Sequence, residues 1–77
     1  MPLPHPRPNQ LFGERVRGFR ARIGLTQEQL GRAAGMHRTY IGGVERGERN
    51  VSLHNILKLA TALRVDASDL VTGLPGP

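Results

Sequence analysis

The 77-residue chain has no cysteine and no tryptophan, and aromatic residues make up only 4% of it. Without cysteine there is no disulfide framework, no thiolate metal site and no thiol nucleophile. A small fold lacking disulfides fits a reducing cytosol and must be held by packing or by a partner. The apolar runs are a few residues long, too short to span a membrane. The N-terminal stretch is punctuated by Pro2, Pro4, Pro6 and Pro8 and has no apolar core region, so it does not read as a secretory signal. The length allows one small domain with a modest core, which excludes a large enzyme with its own cofactor domain.

Acidic residues are scarce, six against eleven basic ones, for a formal net charge of +5. The imbalance is local. Residues 1–38 carry seven arginines against Glu14 and Glu28, whereas residues 39–77 carry Arg46, Arg49, Lys58 and Arg64 against four carboxylates. Ten of the eleven basic residues are arginine, whose planar fork suits phosphates and guanine edges. A polyanion-binding face and an ordinary solvated basic surface both account for this charge.

Residues 1–8 have little to bury and read as an extended Pro-rich arm. Residues 72–77, with Gly73, Pro75, Gly76 and Pro77, read as a flexible tail, which leaves 9–71 as the folded unit. Within it the apolar period is helical and no segment alternates as a half-buried strand would. Phe12, Val16, Phe19 and Ile23 form one stripe of a first helix, with Asn9 as the expected cap and Gly24 as the stop. Thr26 to Gln29 is a capping box opening a second helix that ends at Gly35. A third runs from about His37 to Arg46, with Ile41 and Val44 apolar. A fourth starts near Ser52 and carries Leu53, Ile56, Leu57, Leu59, Ala60 and Leu63. Asp66 opens a short fifth containing Leu70. The expected class is all-α, a compact bundle of five short helices joined by tight turns.

Only Gly35 and Met36 separate the second and third helices, so their axes must cross steeply. Counting from Gln27 as position one, Gly31 is a small fifth residue and Gly35 a turn glycine at nine. Leu30, Ala34, Met36, Ile41 and Val44 fill the apolar positions. Seven matches at fixed offsets define a helix-turn-helix. The strings Gly24-Leu25-Thr26-Gln27-Glu28-Gln29-Leu30, Ala34-Gly35, Arg38-Thr39-Tyr40-Ile41, Val44 to Asn50 and Leu59-Ala60-x-Ala62-Leu63 resemble the phage lambda repressor/Cro-like, XRE-type helix-turn-helix regulators. The likeness covers roughly residues 11–70. Within that family, Arg-Thr-Tyr-Ile followed by Glu-Arg-Gly-x-Arg-Asn resembles the controller proteins of restriction–modification systems.

The resemblance implies that the third helix enters the major groove of DNA. Arg38, Thr39, Gly42, Gly43 and Arg46 share the arc opposite Ile41 and Val44 and are the candidate base contacts. Arg can bridge guanine O6 and N7, and Thr offers a hydroxyl or a methyl; a phosphate contact is the alternative for Arg38. Gln27 at the start of the second helix, His37, Tyr40, Arg49 and Asn50 are the candidate phosphate contacts, with capping or rim packing as their structural alternatives. Arg15, Arg17 and Arg22 add a diffuse field. Arg20 and Glu45 are expected to form a structural ion pair, as the family pairs these positions. The sequence departs from the family in Gly31, where Ala is common, in Gly42, where Ser is common, in the adjacent Gly43, and in His37, which replaces a Ser or Asp cap. Two adjacent glycines in a helix are read here as leaving the backbone open to DNA, and His37 as either a weakened cap or, when protonated, a phosphate contact.

Other chemistries fail on spacing. His5, His37 and His54 lie in different elements with no clustered carboxylates, so no metal is expected; Ser52, His54 and Asp66 form no triad; there is no Walker-type loop. No catalytic residue and no cofactor is expected. The expected function is a cytoplasmic, sequence-specific transcriptional regulator whose partners are double-stranded DNA, a second copy of the chain and, on a promoter, RNA polymerase. Leu53, Leu70, Val71 and Leu74 are the apolar candidates for a homodimer contact. A protein-interaction module of the same fold, such as an antitoxin or bridging factor, and an unspecific polyanion binder are the alternatives.

Overall fold

A computed structural model describes residues 5–76. Five helices make up the described residues: α1 (Arg7–Arg22), α2 (Gln27–Ala34), α3 (Arg38–Glu45), α4 (Leu53–Leu63) and α5 (Ala67–Val71). The capping chemistry sets most of these bounds. The Thr26 hydroxyl accepts from the Gln29 N–H at 3.0 Å while the Gln29 side chain accepts from the Thr26 N–H at 2.8 Å, which opens α2. The Ser52 hydroxyl accepts from the Asn55 N–H to open α4, and the Asp66 N–H donates to the Asp69 carboxylate at the start of α5. Arg64 ends α4 in a left-handed conformation (φ 61), a position glycine usually takes. No helix among the described residues is long and apolar enough to cross a membrane.

α1 begins earlier than its sequence suggested. Pro6 precedes it, Pro8 sits in its first turn, and the Gln10 N–H donates to the Pro6 carbonyl at 3.1 Å. A proline in the first turn lacks only an N–H that has no helical partner, so it extends the helix rather than ending an arm. Asn9 is therefore not the cap. Its side-chain N–H donates to the Arg49 carbonyl at 3.2 Å and ties α1 to the loop after α3. Residues 7 and 8 of the expected arm are helical, and residues 1–4 lie outside the described residues. Most of the expected tail is described too, Pro77 excepted, and Leu74 in it is half-buried against the core.

The core gathers Phe12, Val16, Leu30, Ala34, Ile41, Val44, Leu59, Ala60, Leu63 and Leu70 from all five helices. Leu70 is fully buried, which corrects its expected place on a dimer surface: α5 is short, and this side chain is what anchors it. Leu74, half-buried, lines an apolar hollow with Phe12, Ile56 and Val71. Two glycines let helices meet at backbone distance. A Cβ on Gly31 would overlap the Met36 carbonyl oxygen, so the small fifth residue of the motif is a steric requirement of the α2–α3 turn. A Cβ on Gly13 would overlap the Val44 carbonyl and stand 2.7 Å from that of Glu45, so α1 and α3 touch there without a side chain between them.

The angle of α3 is fixed by one buried carboxylate. Glu45, whose side chain is 4% exposed, accepts from Arg20 Nε at 2.7 Å, Arg20 Nη2 at 3.0 Å and Gln27 Nε2 at 3.1 Å. Arg20 Nη1 donates onward to the Leu25 carbonyl at 2.8 Å. The expected Arg20–Glu45 pair is thus present as a fork, and it joins α1, the α1–α2 turn, the start of α2 and the end of α3. The hydrogen bonds that Arg20 donates to Glu45 raise the Arg20 pKa against the opposing effect of burial.

Two stability measurements follow. Gly13→Ala forces a methyl into the Val44 carbonyl and is expected to lower the unfolding free energy by about 1–3 kcal/mol; an unchanged urea midpoint would mean that α1 and α3 are not in backbone contact. Glu45→Ala strips the part-buried Arg20 of its carboxylate and leaves it the Leu25 carbonyl alone; it is expected to cost up to about 3–5 kcal/mol, with Arg20→Ala adding little on top in the double variant. Additive losses in that cycle would refute the pairing.

Candidate nucleic-acid interface

The N-terminus of α2 and the outer face of α3 meet in a shallow groove lined by Gln27, Arg38, Thr39, Gly42 and Arg46. Ile41 and Val44 turn into the core, 0% and 1% exposed, which leaves the opposite arc of α3 outward. Arg38, Thr39 and Arg46 are exposed on it, and Gln27 is half-buried at its edge. Gln27 is positioned by the same carboxylate that sets α3, since its Nε2 donates to Glu45. Four of the sequence-derived candidates are therefore brought together on one surface.

The two glycines behave otherwise than expected. Gly42 and Gly43 are both buried. Arg46 Nη1 lies 3.0 Å and Gln27 Oε1 3.4 Å from where a Cβ on Gly42 would stand, and Arg49 Nε lies 3.1 Å from the corresponding point on Gly43. The missing side chains make room for these long polar side chains to fold back across the helix, so the backbone there is roofed rather than open to a ligand. Of the two readings of His37, the structure shows the cap. Its Nδ1 accepts the Thr39 N–H at 3.0 Å, so the imidazole caps α3 in the place of a Ser or Asp, with its Nε2 bearing the proton.

Tyr40 stands at the rim. Its hydroxyl accepts from Asn55 Nδ2 at 3.2 Å, which links α3 to α4, and the Arg49 guanidinium lies over its ring at 5.6 Å. Asn50 is exposed beside them. Tyr40, Arg49 and Asn50 thus flank the groove on its α4 side rather than lining it.

Sequence reasoning missed the carboxylates that hold the arginines. Glu28 accepts from Arg32 at 2.8 Å and from Arg38 at 3.3 Å, and Glu48 accepts from Arg46. The Glu28–Arg32 pair is legible as an i, i+4 spacing, but Arg38 reaches Glu28 only once the helix-turn-helix is folded. The Arg46 hydrogen bond holds the Glu48 carboxyl below its usual pKa, and Arg46 is raised in return. Of the apolar candidates for self-association, Leu53 and Val71 are 71% and 40% exposed, and Leu57, one turn from Leu53, adds to them at 48%.

Comparison with known proteins fits this geometry. A helix-turn-helix family model matches residues 16–70. Control protein C.SmaI of Serratia marcescens is 48% identical over 63 residues, covering 82% of this chain and 75% of that protein. The crystal structure of the restriction–modification controller protein C.AhdI from Aeromonas hydrophila is similar with a TM-score of 0.78 at 56% identity, over 79% of this chain and 92% of that one. The P22 c2 repressor, crystallised with a synthetic operator, is similar with a TM-score of 0.77 at 34% identity, over 83% of this chain and 97% of that one. A bundle that sets a short polar helix behind a steep turn, with these relatives, belongs to the helix-turn-helix family of lambda repressor-like, DNA-binding transcriptional regulators.

Proposed function

We propose that the protein binds a pseudopalindromic operator as a homodimer and regulates transcription from it, in the manner of a restriction–modification controller. The observation that carries this reading is the groove itself: Arg38, Thr39, Arg46 and Gln27 share one exposed surface whose angle to the core is set by Glu45. α3 lies in the major groove, with Arg38 bridging a guanine and Thr39 reading the adjacent base. Arg46 reaches a base edge beside Gly42. Gln27 and the free N–H groups at the start of α2 hold one phosphate, and His37, Tyr40, Arg49 and Asn50 hold the flanking backbone.

A single recognition helix reads one half-site, so the dimer spans two, about 34 Å apart. Leu53, Leu57 and Val71 supply exposed apolar area for that contact. Sitting on a promoter in the cytoplasm, the dimer blocks RNA polymerase or touches it. The likeness to C.SmaI and C.AhdI supports the controller role.

Selection from a random duplex library tests the reading. The expected product is one palindromic consensus, and Arg38→Ala is expected to relax it at one position per half-site, with about 1–3 kcal/mol of discrimination lost there. Binding without any consensus, falling smoothly as salt rises, would overturn the proposal.

A further inference from the structure

Arg46 follows α3 as its C-terminal cap, and the left-handed turn at Gly47 (φ 79) carries Glu48 back toward it. Arg46 Nε donates to Glu48 Oε2, and Nη2 faces Oε1 at 3.4 Å. These two nitrogens form the fork with which an arginine grips a phosphate. The third, Nη1, lies over Gly42 at the groove. A Cβ on residue 42 would crowd it, so Gly42 and Glu48 together set how the guanidinium lies. The two side chains are 59% and 39% exposed, so the pair stands in water where a duplex would arrive. Glu48 makes no core contact, and its backbone N–H is held independently by the Gly43 carbonyl at 2.9 Å.

We infer that Glu48 is a specificity-determining residue of the DNA face, an internal stand-in for phosphate that occupies the gripping edge of Arg46 and leaves Nη1 directed at the groove. The inference rests on the reading of α3 as the DNA-facing helix. A backbone phosphate can take the fork only by displacing a carboxylate tethered two residues away, at high effective concentration. A base acceptor met by Nη1 displaces nothing. Unspecific attraction therefore bears the cost of the pair and specific contact does not, which widens the difference between them. The Arg46 hydrogen bond holds the Glu48 carboxyl below its ordinary pKa, which agrees with the carboxylate and guanidinium facing each other as a pair.

The test is Glu48→Gln, read by fluorescence anisotropy on the selected consensus duplex and on a scrambled duplex over a salt series. Affinity for the scrambled duplex is expected to rise about two- to five-fold, the strength of an exposed ion pair. Its log–log salt dependence is expected to steepen by about 0.9, one further phosphate. Affinity for the consensus is expected to change by less, so the specificity ratio falls. In an Arg46→Ala background the same substitution is expected to leave ratio and slope unchanged. An equal rise on both duplexes, a rise that persists without Arg46, or no rise on scrambled DNA would each overturn the inference. Failure of the selection itself would strike the operator reading, while the scrambled-duplex slope would still report whether Glu48 competes for Arg46.

Discussion

The proposed DNA face depends on one buried carboxylate. Glu45 takes two donors from Arg20 on α1 and one from Gln27 on α2, so three helices share a single acceptor pair. Hydrophobic packing of Ile41 and Val44 tells α3 which side to bury, but packing is tolerant of small rotations. A forked hydrogen bond is not. The pair is costly to desolvate and adds little net stability. What it contributes is orientation, because Gln27 and the outward residues of α3 hold their spacing only while all three donors reach Glu45.

A second tier of ion pairs lies on the outside of that frame. Arg38 and Arg46 do not wave freely in solvent; each meets a carboxylate, from Glu28 and Glu48 respectively. Surface pairs of this kind contribute little to folding. They matter because they stand on the proposed binding surface, where a phosphate must compete with the protein's own carboxylates for these arginines. Tyr40 extends the same logic to α4, since its hydroxyl is bonded to Asn55 and its ring carries Arg49.

Much of the architecture was legible because local chemistry and long-range packing agree. Thr26, Ser52 and Asp66 open their helices where their residue types say they should, and the offsets from Gln27 to Val44 specify the steep α2–α3 crossing before any coordinates. The errors share a physical origin. Helical projection places Gly42 and Gly43 on the outer arc, but projection does not know that Arg46, Gln27 and Arg49 fold back over them. Prolines at residues 6 and 8 look like an arm because a first-turn proline and an extended proline have the same φ. Leu70 was read as a dimer-contact candidate although it is core, because a five-residue helix has no periodicity to read. The Glu28–Arg38 and Glu48–Arg46 pairs were invisible because turns, not helical spacing, bring these partners together.

The division of charge along the chain acquires a kinetic meaning from these contacts. The outward arginines of α1, among them Arg17 and Arg22, have no carboxylate partner among the described residues, whereas Arg38 and Arg46 on α3 do. The unpaired arginines of α1 therefore contribute more to the long-range field of the molecule than the paired Arg38 and Arg46. On the reading of α3 as the DNA-facing helix, encounter and recognition are separated in space: one helix draws the molecule to the backbone, while the paired arginines of the other are held back from unspecific phosphate contact.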